Sequence, residues 1–207
     1  MKTLRVFVSS VLAGVCVGLG GMVFLMSDNR VIGAALFAIG LFVICTFGLH
    51  LFTGKVCYVF QNSRGYAAQL LLIWVGNLIG TGVLAGLASL TRNAPAMAEK
   101  AAALCQVKLG DSLSSLFFLG ILCNIFIYIA VEGFNKNPHE LGKYLSILFG
   151  VMVFILSGTE HCVADMFYFW MAGLWSGRAL LCVLVISLGN AVGGIGFCLL
   201  REFVRQR

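Results

Sequence analysis

The chain has 207 residues, 60% of them hydrophobic and 11% charged, with a mean hydropathy of +1.01. That balance excludes an ordinary soluble domain. It leaves room for about six spans of ~20 residues with short connections, and for no soluble enzyme or nucleic-acid-binding domain beside them. The net charge of +6 therefore asks first for a topological explanation.

Apolar segments are read at about 6–26, 32–60 (interrupted), 67–90, 104–132, 141–173 (interrupted) and 178–200. The first follows Lys2 and Arg5 as a signal peptide would. It is too long and Gly-rich for one, and lacks a clear small-residue cleavage site before Asp28, so it is kept as a mature span. With the N-terminus in the cytoplasm, the inside segments carry nine basic residues: Lys2, Arg5, Lys55, Arg64, Lys136, Lys143, Arg201, Arg205 and Arg207. The outside segments carry five: Arg30, Arg92, Lys100, Lys108 and Arg178. The excess matches the positive-inside tendency, which places both termini in the cytoplasm of a multi-pass plasma-membrane protein.

Two segments are interrupted. Gly48-Leu49-His50-Leu51-Phe52-Thr53 breaks the second, and Ser157-Gly158-Thr159-Glu160-His161 breaks the fifth. A histidine and a glutamate at that depth are costly unless they face a cavity, a partner or a solute path. The adjoining glycines let the backbone open and free polar groups that must also be satisfied. The second break reads as a permeation site. His161 is its strongest candidate, able to exchange a proton or to donate to an anion. Glu160 points elsewhere, because neighbouring helical residues diverge by about 100°. It is expected to cap the broken helix or to pair across a subunit contact.

The chain reads as one domain over 1–207, made of two similar halves. Gly76-Asn77-x-x-Gly80 returns as Gly189-Asn190-x-x-Gly193, and each motif follows an interrupted span. Three spans per half is an odd number, so the halves take opposite orientations, and discontinuous helices at matching positions point to a midplane site. The fold class is therefore an all-α membrane protein of six transmembrane helices in two inverted three-helix repeats, the second and fifth helices broken. Glycines such as Gly14, Gly18 and Gly21 favour close helix contact, in the bundle or in an oligomer. The eight cysteines form no CxxC pair and read as small packing residues rather than metal ligands.

Other candidates stay open on spacing alone. Asn77 and Asn190 could serve helix contacts or a pathway. The Thr53 hydroxyl could line a lumen, and His50 reads either as a titratable group near the first break or as a polar contact at a helix end. Lys108 reads as an anion attractor or as a marker of the water boundary. Phe37, Leu41, Leu51, Phe52 and Phe154 read as ordinary core or lipid contacts.

The segments taken together resemble the formate/nitrite transporter family over about residues 10 to 200. Gly48 to Gly54 resembles its G-x-[DE]-L-F-T segment, and Ser157 to Met166 resembles S-G-x-E-H-x-x-x-N-M. Leu119-Gly120-Ile121-Leu122-Cys123-Asn124 resembles the L-G-I-L-x-N helix, and Gly76-Asn77 and Gly189-Asn190 match its two G-N helices. The resemblance implies a homopentamer of six-helix protomers with an aquaporin-like arrangement, each with its own pore for small monovalent anions, often coupled to protons. It implies an outer constriction of Phe37 and Phe154 and an inner one of Leu41, Leu51 and Phe52. His161 would face the chamber between them, with Thr53 and Asn190 as polar neighbours. Lys108 would stand where the family has a vestibule lysine, while Asn124 and Glu160 would support the site. Two residues depart from the pattern: His50 replaces the usual acid, and Asp165 replaces the usual asparagine.

The expected function is transport of formate, nitrite or a similar anion, with protons, across a lipid bilayer. No enzyme activity, cofactor, metal or nucleic-acid partner is expected. The alternatives are a hydrosulfide or lactate channel of the same family, or a neutral-solute channel, although no Asn-Pro-Ala pair occurs. A bare anion pays heavily to cross rings of Phe and Leu. Either His161 supplies a hydrogen bond or a proton, or the surroundings let the anion take a proton from water; both make transport faster in acid.

Overall fold

The computed structural model describes residues 2–205. The side chain of Lys2, and Arg207, both counted above among the inside basic groups, lie outside this set. The described residues are helical nearly throughout: α1 (Lys2–Met26), α2 (Arg30–Phe47), α3 (Phe52–Val56), α4 (Tyr66–Ser89), α5 (Ala94–Gly110), α6 (Leu113–Lys136), α7 (Glu140–Leu156), α8 (Cys162–Ala172) and α9 (Gly177–Arg205), with one 3₁₀ turn at Val59–Gln61. Of these, α1, α2, α4, α6 and α9 are long and apolar enough to cross a membrane. Their outward faces carry large apolar side chains such as Leu4, Leu71, Phe118 and Leu188, which a soluble protein would not leave in such number.

One boundary read from the sequence is corrected. The segment 104–132 is not continuous: Leu104 to Gly110 close α5, and a new helix starts at Leu113. Ser112 caps α6 by accepting from the Ser115 N–H, while the Arg178 guanidinium donates to the carbonyls of Leu109 and Asp111 at the end of α5. Lys108 therefore belongs to α5 and not to the fourth membrane segment.

The packing repeats itself along the chain. α1 lies along α4 and α6 along α9, while α2 rests on α1 and α7 on α6. Each long seam is made by glycine. A Cβ at Gly80 of α4 would run into the Val11 carbonyl, and one at Gly193 of α9 would run into the Ile121 carbonyl, so only glycine allows these backbones to touch. Apolar burial drives little association in lipid, and such close seams supply the van der Waals contact that holds the bundle. Far along α6, Glu132 is held by the Tyr58 hydroxyl, Lys136 and Arg201, which ties α6 to α9 and to the turn after α3.

Candidate functional site

Both interruptions are opened by a glycine in the left-handed region, Gly48 at φ 66° and Gly158 at φ 67°. After each, the chain runs extended for a few residues before a short helix begins. One asparagine at each break satisfies most of the freed polar groups, while the His50 N–H donates to the Ser9 hydroxyl and the Glu160 N–H to the Leu119 carbonyl. Asn77 of α4 accepts from the Phe52 N–H at 2.8 Å and donates to the carbonyls of Ser10 and His50. Asn190 of α9 accepts from the Cys162 N–H at 3.0 Å and donates to the carbonyls of Gly120 and Glu160, both at 2.8 Å. Asn124 then joins the two halves, donating to the carbonyls of Thr53 and Asn190.

Where the breaks meet, the Nε2 of His161 lies 2.9 Å from the Thr53 hydroxyl. The histidine is the cap of α8, its Nδ1 accepting from the Ala164 N–H at 3.2 Å. That contact fixes the tautomer: with Nδ1 accepting, the ring proton sits on Nε2 and Nε2 donates to Thr53. Phe154 stacks on the imidazole at 5.7 Å between centroids, Phe37 meets Phe154 edge-on at 6.0 Å, and Phe24 meets Phe37 at 6.4 Å.

A cavity of about 530 Å³ reaches this aromatic group, with Arg30, Lys108, Glu160, His161 and Asp165 on its wall. A smaller cavity of about 110 Å³ is lined by Leu41, Leu51, Gly54, Lys55 and Tyr58, so its wall includes the chain neighbour of Thr53. Phe154 and His161 thus face the first cavity, and Leu41 and Leu51 the second.

Several sequence readings change. Lys108 is neither exposed nor free: it is buried, with Nζ 2.6 Å from Glu160 and 3.3 Å from Asp165. Glu160 therefore pairs within the chain, in place of the helix cap or subunit contact expected of it. Asn190 is fully buried, and its amide is spent on holding the break. Phe52 lies where the two apolar clusters meet. His50 turns to a separate cavity of about 290 Å³ with Lys55, Tyr58 and Tyr66. Phe24 was missed by sequence reasoning, since nothing distinguishes it there from other phenylalanines in lipid-compatible helices.

Comparison with known proteins agrees with this fold. The model of the family described as formate/nitrite transporter matches residues 1–204. The uncharacterized transporter YrhG of Bacillus subtilis is 32% identical over 193 residues, 86% of this chain and 72% of that one. The nitrite transporter NirC of Salmonella typhimurium is 29% identical over 214 residues, 92% of this chain and 79% of that one. A solved pentameric formate channel with formate bound matches in fold, with a TM-score of 0.84 at 21% identity over 99% of this chain and 98% of that one. The chain belongs to the formate/nitrite transporter family, membrane proteins that carry small anions.

Proposed function

We propose that this protein passes formate, nitrite or a similar monovalent anion through a pore within each protomer, together with a proton. The observation that carries the reading is the Thr53–His161 contact, a polar pair enclosed between the Phe154 side and the Leu41–Leu51 side of the chain. An anion entering such a place loses its water and needs donors to replace it. The Nε2–H of His161 is one, and it becomes free when the ring exchanges Thr53 for the anion. A second proton on the ring would have to displace the Ala164 N–H from Nδ1 and uncap α8. His161 therefore serves as a neutral donor, and the co-transported proton comes from water or from another group.

In this reading the whole chain acts as one transport domain with six crossings. α2 with α3 makes one interrupted crossing and α7 with α8 another, and the two halves run in opposite directions. Both termini lie in the cytoplasm, so the cavity at Phe154 faces outward and the one at Lys55 inward. Five copies assemble around an axis; the likeness in fold to a formate channel that is itself pentameric supports that assembly. Phe37 and Phe154 form the outer constriction, and Leu41, Leu51 and Phe52 the inner one.

The test is flux into proteoliposomes at pH 5.5 and 7.5, comparing formate, nitrite, hydrosulfide and lactate with glycerol. Fast movement of one or more anions, faster at pH 5.5, is the expected result. Glycerol flux without anion flux would overturn the reading in favour of a neutral-solute channel.

A further inference from the structure

The cavity at His161 holds a charge imbalance. Lys108 supplies one positive charge to two carboxylates, Glu160 and Asp165, whose oxygens lie within 2.6 Å and 3.3 Å of the same Nζ. All three side chains are buried, and all three contribute to the cavity wall. The second carboxylate oxygen of Asp165, Oδ2, is enclosed and makes no hydrogen bond among the described residues. A buried carboxylate with an oxygen left bare is costly, and one ammonium compensates only one of the two acids.

We propose that Glu160 and Asp165 hold one proton between them, and that this shared proton sets the charge of the cavity through which the anion passes. With the proton in place, the group of Lys108, Glu160 and Asp165 is neutral. When it leaves, the group carries one net negative charge beside the path, which repels the anion. Asp165 is a selectivity residue: it makes the cavity anion-permissive in acid and anion-repelling in base.

The other groups around Asp165 do not cancel this change. Cys105 of α5, Cys123 of α6, Cys162 and Tyr168 of α8 and Cys182 of α9 lie around it, and thiols and phenols are ordinarily neutral near pH 7. His161 is held neutral by its cap contact with Ala164. Arg30 is positive but exposed, donating to the Ile155 carbonyl, so water and salt screen it.

The proposal rests on the anion-transport reading for its effect on flux, but not for the proton itself. Two measurements on the full-length protein separate them. In proteoliposomes, formate influx through wild type, Asp165→Asn and Glu160→Gln is followed from pH 5.5 to pH 8. Each variant leaves one carboxylate matched to Lys108 and nothing to titrate. The ratio of variant to wild-type influx is expected to rise about tenfold across that range. Infrared difference spectra of the purified protein over the same range are expected to show a protonated carboxylic acid that disappears in either variant. If one variant does not fold, the other makes the same comparison. A ratio that stays flat with pH overturns the proposal, as does a wild-type protein without the carboxylic acid signal. Absence of anion flux in every vesicle would count against the transport reading, and the infrared signal alone would then decide the shared proton.

Discussion

Asn77 and Asn190 make equivalent hydrogen bonds in the two halves of the chain. Each accepts from the first N–H of a short helix and donates to two carbonyls, one in the extended stretch before that helix and one in a long neighbouring helix. The equivalence extends to sequence positions: Ser10 and Gly120, His50 and Glu160, and Gly48 and Gly158 are each 110 residues apart. Non-helical backbone at membrane depth persists only where its polar groups are satisfied. One asparagine in each half meets that condition.

Replacing either asparagine should damage both structure and transport. Asn190→Ala strands the Cys162 N–H and two carbonyls in a dry interior, at a cost of about 1–3 kcal/mol for each group that finds no substitute. Asn190→Asp keeps the acceptor for Cys162 but loses both donations. The expected order of thermal stability in detergent is wild type, then Asp, then Ala, with the same order for Asn77. Equal stability of Ala and wild type would show that water fills the gap.

Much of this was legible because membrane-depth backbone leaves marks in sequence. A glycine beside polar residues inside an apolar run signals an opening, and the paired Gly-Asn motifs signal what closes it. What stayed hidden depends on distant contacts. Lys108 reads as a lone basic residue until α5 folds it against Glu160 and Asp165, 52 and 57 positions away. The separate helix α5 merged with α6 in the hydropathy pattern because only Asp111 and Ser112 separate them. The Ser112 cap was the available signal. The side to which His50 turns is set by Ser9 and Asn77, which hold its backbone, and no local pattern records that.

His161 makes two hydrogen bonds that substitutions can separate. Nδ1 caps α8 and Nε2 donates to the Thr53 hydroxyl, the donor that the proposed anion path would use. His161→Asn should keep the cap and lose the donor, lowering anion flux about 10- to 100-fold, the value of a hydrogen bond to a charged group. His161→Gln reaches as far as Nε2 and should retain most flux while losing about 1 kcal/mol of stability from the cap. His161→Phe should lose both. Flux measured beside melting temperature distinguishes these outcomes, and equal flux in Asn and Gln would remove the donor role.

The glycine seams predict a local contrast within one helix. Gly80→Ala would push a methyl group into the Val11 carbonyl, whereas Gly86, also on α4, has nothing within 4 Å of its Cβ position. Gly80→Ala is expected to cost about 1–3 kcal/mol by forcing α1 and α4 apart. Gly86→Ala is expected to be neutral or to stabilise by up to about 1 kcal/mol through helix propensity. Melting temperatures of the two variants in one detergent test the seam, which would lose its support if both behaved alike.

Lys108 predicts a stability effect that a free vestibule lysine would not show. An exposed lysine replaced by methionine changes stability little. Here Lys108→Met leaves Glu160 and Asp165 without the one cation paired to them among the described residues. Breaking a buried ion pair from one side costs about 3–5 kcal/mol, whereas removing all its charges together is close to neutral. Lys108→Met should therefore melt well below wild type, and adding Glu160→Gln and Asp165→Asn to it should restore most of the loss. If the single variant were as stable as wild type, Lys108 would be acting as a solvated charge and its burial between the two acids would carry no energy.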